Sequence, residues 1–205
     1  MNLIEHDPDL NILPFDGESN YYGPVLSHQD TEDYLARLSD TIKWQNDQVI
    51  IYGKQITTKR KVAWYGDSDY AYTYSNVTKD ALDWTEDLLA LKSIVEDLTN
   101  AQYNACLLNL YHDGEEGVSW HSDDEEALGK SPTIASLTLG AERKFSLKHK
   151  ISKRTISLTL ESGSLFVMKG STQTNWVHCL PKMKGITQPR INLTFRTYFQ
   201  PSPGR

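Results

Sequence analysis

Two histidines and one aspartate in this chain have the identities and spacing of ligands to a single iron ion. His121 and Asp123 are two residues apart, so an extended segment directs both side chains to one face. His178 lies far downstream and must be brought to the same place by the fold. Two imidazoles and one carboxylate bind non-haem Fe(II) on one side and leave the other positions open. These residues therefore predict an iron centre.

A segment near the carboxyl end alternates polar with apolar residues and contains two arginines. Period-two alternation puts its polar members on one face of a strand. These are Arg190, Asn192, Thr194 and Arg196. A buried arginine needs an anionic partner, and a dicarboxylate can accept paired hydrogen bonds from a guanidinium group. With the iron ligands, this predicts an oxygenase that uses 2-oxoglutarate, although an ordinary half-buried strand would show the same alternation.

Composition places few further limits on function. The chain has 205 residues, 39% of them hydrophobic, and a net charge of −6. No apolar run approaches the roughly 20 residues that span a bilayer, and the first residues do not resemble a signal peptide. We expect a soluble, cytoplasmic protein without a membrane partner. Its two cysteines, Cys106 and Cys179, are expected to be buried free thiols.

Basic residues are concentrated in two stretches despite the negative net charge. One contains Lys54, Lys59, Arg60 and Lys61. The other contains Arg143, Lys144, Lys148, His149, Lys150, Lys153 and Arg154. Such runs usually form solvated faces of hairpins. Beside an oxygenase site, they favour a local track for phosphate groups.

The first hundred residues predict two helices and little packed sheet. A helix should begin near Asp30 or Thr31, and a second should run from a Thr85 cap to Asn100. Residues 1–30 indicate an irregular arm. The segment Lys54 to Tyr74, rich in tyrosine, glycine, threonine and charge, suits hairpins and loops better than a core.

The pattern changes to period two after Ala101, with short apolar segments separated by glycines. This predicts an antiparallel β-sandwich or jelly roll in residues 101–199, with the helices packed outside. The fold class is therefore mainly β with flanking helices (α+β).

Four motifs taken together resemble the AlkB-like Fe(II)/2-oxoglutarate-dependent dioxygenases, which repair alkylated nucleic acids. The resemblance covers roughly Val49 to Phe199. It rests on the metal motif His121-Ser122-Asp123-Asp124-Glu125, on Asn109-Leu110-Tyr111, on the strand and turn from Ser136 to Arg143, and on Gly163 to Met168 leading towards His178.

The resemblance implies a double-stranded β-helix (jelly-roll) core in residues 101–205. Residues 1–100 would supply the arm, the helices and a nucleotide-recognition lid, all within one compact domain. Fe(II), 2-oxoglutarate and O2 would be required. Arg190 would pair with the far carboxylate of 2-oxoglutarate, assisted by Asn109 and Tyr111. Asn192 and Thr194 would belong to the same site, with Arg196 near the other end of the cosubstrate.

The resemblance also implies how a base would be held. The lid would include Trp64, Tyr65, Tyr72, Tyr74 and Ser75. Tyr74 and His121 would sandwich a flipped base, with stacking worth roughly 1 to 3 kcal/mol. Asp124 and Glu125 would contact the polar edge of a cationic methylated base. At Ser68 to Tyr70 the chain departs from the family, which often has glycine or a basic residue there.

The implied activity is oxidative demethylation of 1-methyladenine and 3-methylcytosine in DNA by a monomer, with release of formaldehyde and succinate. RNA is left open as a second substrate. Two alternatives also stay open. One is a 2-oxoglutarate oxygenase acting on a protein or small molecule, and the other is a non-catalytic nucleic-acid-binding jelly roll with a structural metal.

Overall fold

A computed structural model describes residues 6–51, 54–67, 71–74 and 77–199 of the chain. Strands dominate the described part, and all but one have seven residues or fewer. In chain order they are β1 (Glu18–Pro24), β2 (Gln45–Ile51), β3 (Lys54–Gly66), β4 (Ala71–Tyr74), β5 (Val77–Asp80), β6 (Ala105–Tyr111), β7 (Val118–His121), β8 (Ile134–Gly140), β9 (Arg143–His149), β10 (Thr155–Leu160), β11 (Ser164–Lys169), β12 (Trp176–Leu180) and β13 (Arg190–Arg196). The mainly β class predicted from the sequence is confirmed.

Two antiparallel sheets face each other. The larger has the strand order β1-β11-β8-β13-β6-β3-β2, and the smaller has the order β10-β9-β12-β7. A separate hairpin pairs β4 with β5. Non-consecutive neighbours in both sheets are typical of a jelly roll, in which strands distant in sequence become adjacent. This arrangement brings β12, which carries His178, beside β7, which carries His121.

Two helices of similar length, α1 (His28–Thr41) and α2 (Glu86–Thr99), flank the sheets. A short third helix, α3 (Thr172–Asn175), precedes β12, and a 3₁₀ turn covers Glu126–Leu128. None of the described helices meets the length and hydropathy needed to cross a membrane. The caps of α2 are those predicted: Thr85 Oγ1 accepts the Leu88 N–H, and Asn100 adopts the left-handed conformation.

The first helix begins slightly earlier than predicted. Ser27 caps the helix, since its hydroxyl accepts a hydrogen bond from the Asp30 N–H and donates one to the Asp30 carboxylate. Asp30, which the sequence suggested as a starting residue, therefore supports the cap from inside the first turn. The helix buries Leu38 completely against the larger sheet.

The amino-terminal half contributes more to the sheet than predicted. β1 pairs with β11, although an irregular arm was expected there. β3 is a thirteen-residue strand that forms a hairpin with β2, as expected. It also pairs with β6 and buries Trp64 and Tyr65, so the expectation that this segment lies outside the core was wrong. The sequence did not predict that this strand joins the core, because the charged residues in Lys54–Gly66 interrupt its apolar pattern. Only its pairing with β6 in the folded protein identifies it as a core strand. One sheet thus crosses the expected boundary at residue 100.

Two hydrophobic cores lie on opposite faces of the larger sheet. One fills the space between that sheet and the helices, and includes Leu91, Leu108 and Leu193. The other fills the space between the two sheets, and includes Phe145, Phe166 and Trp176. Cys106 and Cys179 are buried free thiols, as predicted. The inter-sheet core is incomplete, and the space that it leaves is the cavity described below.

Gly114 allows the loop after β6 to lie directly against the loop before β13. Its N–H donates to the Ile186 carbonyl at 2.9 Å, and its carbonyl accepts the Met183 N–H at 2.8 Å. A Cβ at this position would lie 1.9 Å from the Met183 carbonyl oxygen. We expect Gly114→Ala to cost about 1 to 3 kcal/mol, because backbone must move to relieve the overlap.

For a domain of this size, that cost lowers the melting temperature by roughly 2 to 4 °C per kcal/mol. Differential scanning calorimetry measures it. Gly185→Ala serves as the control for space, since a Cβ there meets nothing within 4 Å, although its φ of +91° adds backbone strain. A Gly114→Ala protein that melts no lower than wild type would contradict the close approach.

Candidate active site

The three predicted iron ligands lie together in the structure. One possible ligand atom from each of His121, Asp123 and His178 lies within 4.8 Å of the others. Antiparallel pairing between β7 and β12 sets His121 directly opposite His178, with ring centroids 4.2 Å apart. Asp123 follows just after β7, and its Oδ1 lies 3.8 Å from His121 Nε2. The fold therefore supplies the contact that the sequence could not.

Hydrogen bonds orient both ends of this group. His121 Nδ1 donates to the Ser119 carbonyl at 2.8 Å, so Nε2 carries the free lone pair that faces Asp123. Asp123 Oδ2 accepts from Arg196 Nη2 at 2.8 Å, while the Asp123 N–H donates to Gln173 Oε1 at 2.9 Å. His121 and Asp123 are thus each held by a hydrogen-bond partner, and Asp123 Oδ1 faces His121.

The protonation states suit a divalent metal. Burial, together with the nearby His121, lowers the pKa of His178 to about 3, so the imidazole is neutral. Burial alone would raise the pKa of Asp123, but Arg196 and the two histidines outweigh it and hold that pKa below its usual value. A neutral imidazole and an ionised carboxylate are the forms that bind metal. Two nitrogens and one oxygen on one side fit Fe(II).

A cavity of about 560 Å³ opens between the two sheets next to this group. The predicted cosubstrate residues all line it, and period two along β13 is the reason that four of them share its wall. They are Asn109, Tyr111, Arg190, Asn192, Thr194 and Arg196. The three metal-site residues line the same cavity. The structure therefore brings the two predicted constellations into one space.

Arg190 is a buried cation without a carboxylate partner among the residues that the structure describes. Only 1% of the residue is exposed, and its Nη2 donates to Thr138 Oγ1 and Asn192 Oδ1. Its Nε has no hydrogen-bond partner in the described ranges. Burial lowers the pKa of Arg190 to about 10, which still leaves it charged at neutral pH. Such a group fits an anionic ligand that enters the cavity.

Tyr111 lies among three arginines at this part of the wall. The guanidinium carbons of Arg190, Arg143 and Arg60 are 5.5, 5.8 and 5.9 Å from its ring centroid. Arg60 forms an ion pair with Asp47. Arg143 donates to three backbone carbonyls, including that of Glu116. Arg60 is thus paired with a carboxylate, whereas Arg190 Nη2 donates to a hydroxyl and an amide oxygen.

Arg196 lies between the metal site and the cosubstrate wall, and its expected place near the other end of 2-oxoglutarate stays a prediction. Besides the Asp123 carboxylate, it contacts the Tyr198 hydroxyl at 3.2 Å and the Glu125 carboxylate at 3.7 Å. It lines the cavity, but its charge is committed to the metal-site carboxylate. Long-range packing decides this, because Asp123 and Arg196 are far apart in sequence. The ion pair between Asp123 and Arg196 therefore connects the predicted metal ligand to β13, the strand that lines the cosubstrate side of the cavity.

The predicted base contacts divide into several groups. Trp64 lines the cavity and packs edge-on against Tyr198 at 5.4 Å. Tyr65 points the opposite way, as the next residue of a strand must, and its hydroxyl accepts the Lys43 N–H in the core beside the helices. It is 2% exposed, so the expected substrate contact is wrong in this arrangement.

Asp124 and Glu125 do not line the cavity. The Asp124 side chain is 67% exposed and accepts from Ser122 Oγ, while Glu125 is turned towards Arg196. Ser75 lies outside the described residues, as do the side chains of Tyr72 and Tyr74, so those three expectations stay predictions.

Apart from Trp64, the sequence did not indicate the part of the wall that β2 and β3 supply. It contains Gln45, Asp47, Gln48, Arg60 and Val62. Arg60 was expected in a basic surface stretch, yet it is 8% exposed and paired with Asp47. Arg143 and His149, expected in the other stretch, are also buried. Pairing between distant strands and burial decide these positions, and no local motif marks them.

Known proteins resemble this chain over most of its length. A profile of the 2OG-Fe(II) oxygenase superfamily matches residues 20–196. Alpha-ketoglutarate-dependent dioxygenase alkB homolog 3 of Mus musculus is 37% identical over 192 residues, which are 89% of this chain and 66% of that protein. The chain thus spans slightly less than two thirds of that relative. DNA oxidative demethylase ALKBH2 of Homo sapiens is 37% identical across 92% of this chain and 77% of its own length.

A solved structure supports the fold. The structure titled "The structure of OsALKBH1" superposes with a TM-score of 0.63 and 18% identity, covering 87% of this chain and 97% of the other.

Proposed function

The chain belongs to the 2OG-Fe(II) oxygenase superfamily and, within it, to the AlkB-like dioxygenases; from this membership we propose that it demethylates alkylated bases in DNA by oxidation. Fe(II), 2-oxoglutarate and O2 are the cofactors of such enzymes. The observation that carries the proposal is one cavity lined by both His121, Asp123 and His178 and the uncompensated Arg190. DNA is the substrate class named for the relatives called DNA oxidative demethylase.

Residues of the chain divide the work between binding and orientation. His121, Asp123 and His178 would hold Fe(II), and Arg196 orients the Asp123 carboxylate by donating to its Oδ2. When bound, Fe(II) supplies the redox chemistry that couples decarboxylation of 2-oxoglutarate to oxidation of a methyl group. The overall reaction converts the methylated base, 2-oxoglutarate and O2 into the restored base, formaldehyde, succinate and carbon dioxide.

Arg190 would pair with the far carboxylate of 2-oxoglutarate. Its Nε is the donor without a partner among the described atoms. Thr138 and Asn192 fix the guanidinium plane from behind, and Asn192 is itself held by Ser136 Oγ and Thr194 Oγ1. Asn109 and Tyr111 complete this wall. A pre-arranged donor group lowers the cost of ordering the cosubstrate.

The substrate base enters from the side of His121, whose side chain is 36% exposed while that of Asp123 is 7% exposed. Trp64 and the aromatic residues Tyr72 and Tyr74 are the candidates for stacking on it. A base must leave its stack to reach such a cavity, which costs a few kcal/mol and less in a single strand. We therefore propose 1-methyladenine and 3-methylcytosine in single-stranded DNA as substrates, acted on by a monomer.

The test is mass spectrometry of a single-stranded oligonucleotide that contains one 1-methyladenine. Incubation with the protein, Fe(II), ascorbate and 2-oxoglutarate is expected to remove one methyl group and produce an equal amount of succinate. Omitting 2-oxoglutarate supplies the control. Succinate without loss of the methyl group would instead favour an oxygenase for a protein or small molecule. If neither product forms with iron-loaded protein, the proposed activity is wrong.

A further inference from the structure

The outer face of the smaller sheet is basic and rich in hydroxyl groups. Lys144 and Lys148 of β9 are directly paired with Thr159 and Thr155 of β10, and paired residues share one face. Between them, Ser146 is paired with Ser157. None of these six residues of β9 and β10 is a carboxylate, and all but the buried Ser146 are at least partly exposed, although the whole chain has a net charge of −6. The sheet thus presents a local cationic surface on an acidic protein.

Trp120 lies on this side of the sheet, in its edge strand β7. All five tryptophans lie within the described ranges, and Trp120 is the exposed one, at 41%. The ammonium group of Lys148 lies 4.1 Å from the centroid of its ring. The Trp120 ring therefore contacts the Lys148 ammonium group and still has exposed aromatic surface. An aromatic face beside a cation suits a nucleobase next to its phosphate.

The position of Trp120 links this surface to the cavity. Trp120 directly precedes the metal-site residue His121, so their Cα atoms are about 3.8 Å apart. His121 lines the cavity, whereas Trp120 does not. Because β7 is the edge strand, a chain passing over that edge can contact both residues. Lys150 follows β9 on the same rim, with its Nζ 4.0 Å from Asp124 Oδ2.

We propose that Trp120, Lys148 and Lys144 bind the single strand next to the base that enters the cavity. An adjacent base stacks on Trp120, and the two lysines contact the phosphates that flank it. This inference rests on the proposed function, since it assumes a nucleic-acid substrate. The ligand that fits this surface is an anionic strand with planar bases. The surface offers cations, hydroxyl groups and one aromatic ring, and the paired residues of β9 and β10 include no carboxylate.

Fluorescence anisotropy of a labelled, unmodified oligothymidylate measures this site without any reaction. Trp120→Ala is expected to lower the affinity about tenfold, and Trp120→Phe is expected to retain most of it. Lys148→Gln is expected to reduce the slope of log affinity against log salt concentration by about 0.7. Leu89→Ala, exposed on α2, and Lys169→Gln, on β11 of the other sheet, are the controls. They are expected to bind as wild type does.

Steady-state kinetics separate this site from the chemistry. With a methylated oligonucleotide, Trp120→Ala is expected to raise KM about tenfold at unchanged kcat. With a methylated mononucleotide, which has no flanking strand, both constants are expected to match wild type. Wild-type affinity of Trp120→Ala and Lys148→Gln for the oligothymidylate would overturn the inference. If Trp120-dependent binding is found but no methylated substrate is demethylated, the strand site stands and the proposed activity fails.

Discussion

Asp123→Asn is expected to lower the affinity for a divalent metal by more than about 100-fold, and to abolish succinate formation. Loss of a residue that merely supports a metal ligand typically costs 10- to 100-fold, so loss of the ligand charge itself should cost more. Asparagine retains an oxygen that can accept from Arg196, whose side chain is 5% exposed. The fold should therefore survive while the metal site fails.

Asp123→Ala tests the two roles of Asp123, as a metal ligand and as the ion-pair partner of Arg196. It removes the ligand and also the nearer carboxylate partner of Arg196, leaving Glu125 at 3.7 Å. Breaking a buried ion pair typically costs about 3 to 5 kcal/mol, so this variant should melt at a lower temperature than Asp123→Asn. Both should bind metal poorly.

Titration calorimetry with Mn(II), which substitutes for Fe(II) without oxidation, measures the metal affinity of both variants. Glu126→Gln is the matched control, because it removes an exposed negative charge three residues away. Its metal affinity is expected to equal that of wild type. An Asp123→Asn protein that binds Mn(II) as tightly as Glu126→Gln would exclude Asp123 as a ligand.

Arg190→Met is expected to weaken 2-oxoglutarate binding by at least about 30-fold. Removing one partner of a buried, hydrogen-bonded charge pair typically costs 2 to 5 kcal/mol or more, and each 1.4 kcal/mol is a factor of ten. Lysine at the same position keeps a charge but loses the planar pair of donors, so Arg190→Lys should fall between the two. KM for 2-oxoglutarate, read from succinate formation, gives the order of the three proteins.

The stability of Arg190→Met provides an independent test. Arg190 is buried without a carboxylate among the described residues, and an uncompensated buried charge costs stability. The ligand-free variant is therefore expected to melt within a few degrees of wild type or above it. Added 2-oxoglutarate with Mn(II) should raise the melting temperature of wild type more than that of the variant.

Arg154→Met, which removes an exposed arginine on the turn before β10, controls for loss of positive charge. It is expected to keep the wild-type response to 2-oxoglutarate. An equal thermal shift in Arg190→Met and wild type would show that the cosubstrate pairs elsewhere.

The residues of the active site were largely accessible from the sequence. His121 and Asp123 are local in sequence, and period two places Arg190, Asn192, Thr194 and Arg196 on one face of any strand. Both patterns survive folding because they depend only on backbone geometry. The caps of α2 were accessible for the same reason, since Thr85 and Asn100 act within one turn of the chain.

Contacts between residues that are distant in the sequence could not be predicted from it. The sequence placed Arg196 near one end of 2-oxoglutarate but did not indicate its ion pair with Asp123, and it did not indicate that Arg60 would be buried against Asp47. It also placed Tyr65 with Trp64, although neighbours on a strand face opposite sides. Each of these depends on which strands become adjacent, and local residue types do not encode that.

Residue chemistry and local periodicity, both carried by the sequence itself, thus determined the ligand set, the cosubstrate strand and the mainly β class. Only the tertiary structure decided that β12 pairs with β7, so that His178 meets His121, and that β3 joins the larger sheet beside β6. It alone also set Lys148 over Trp120 at the rim of the site. The physical reason is that strand pairing and side-chain burial are long-range, and are selected by the packing of the whole domain.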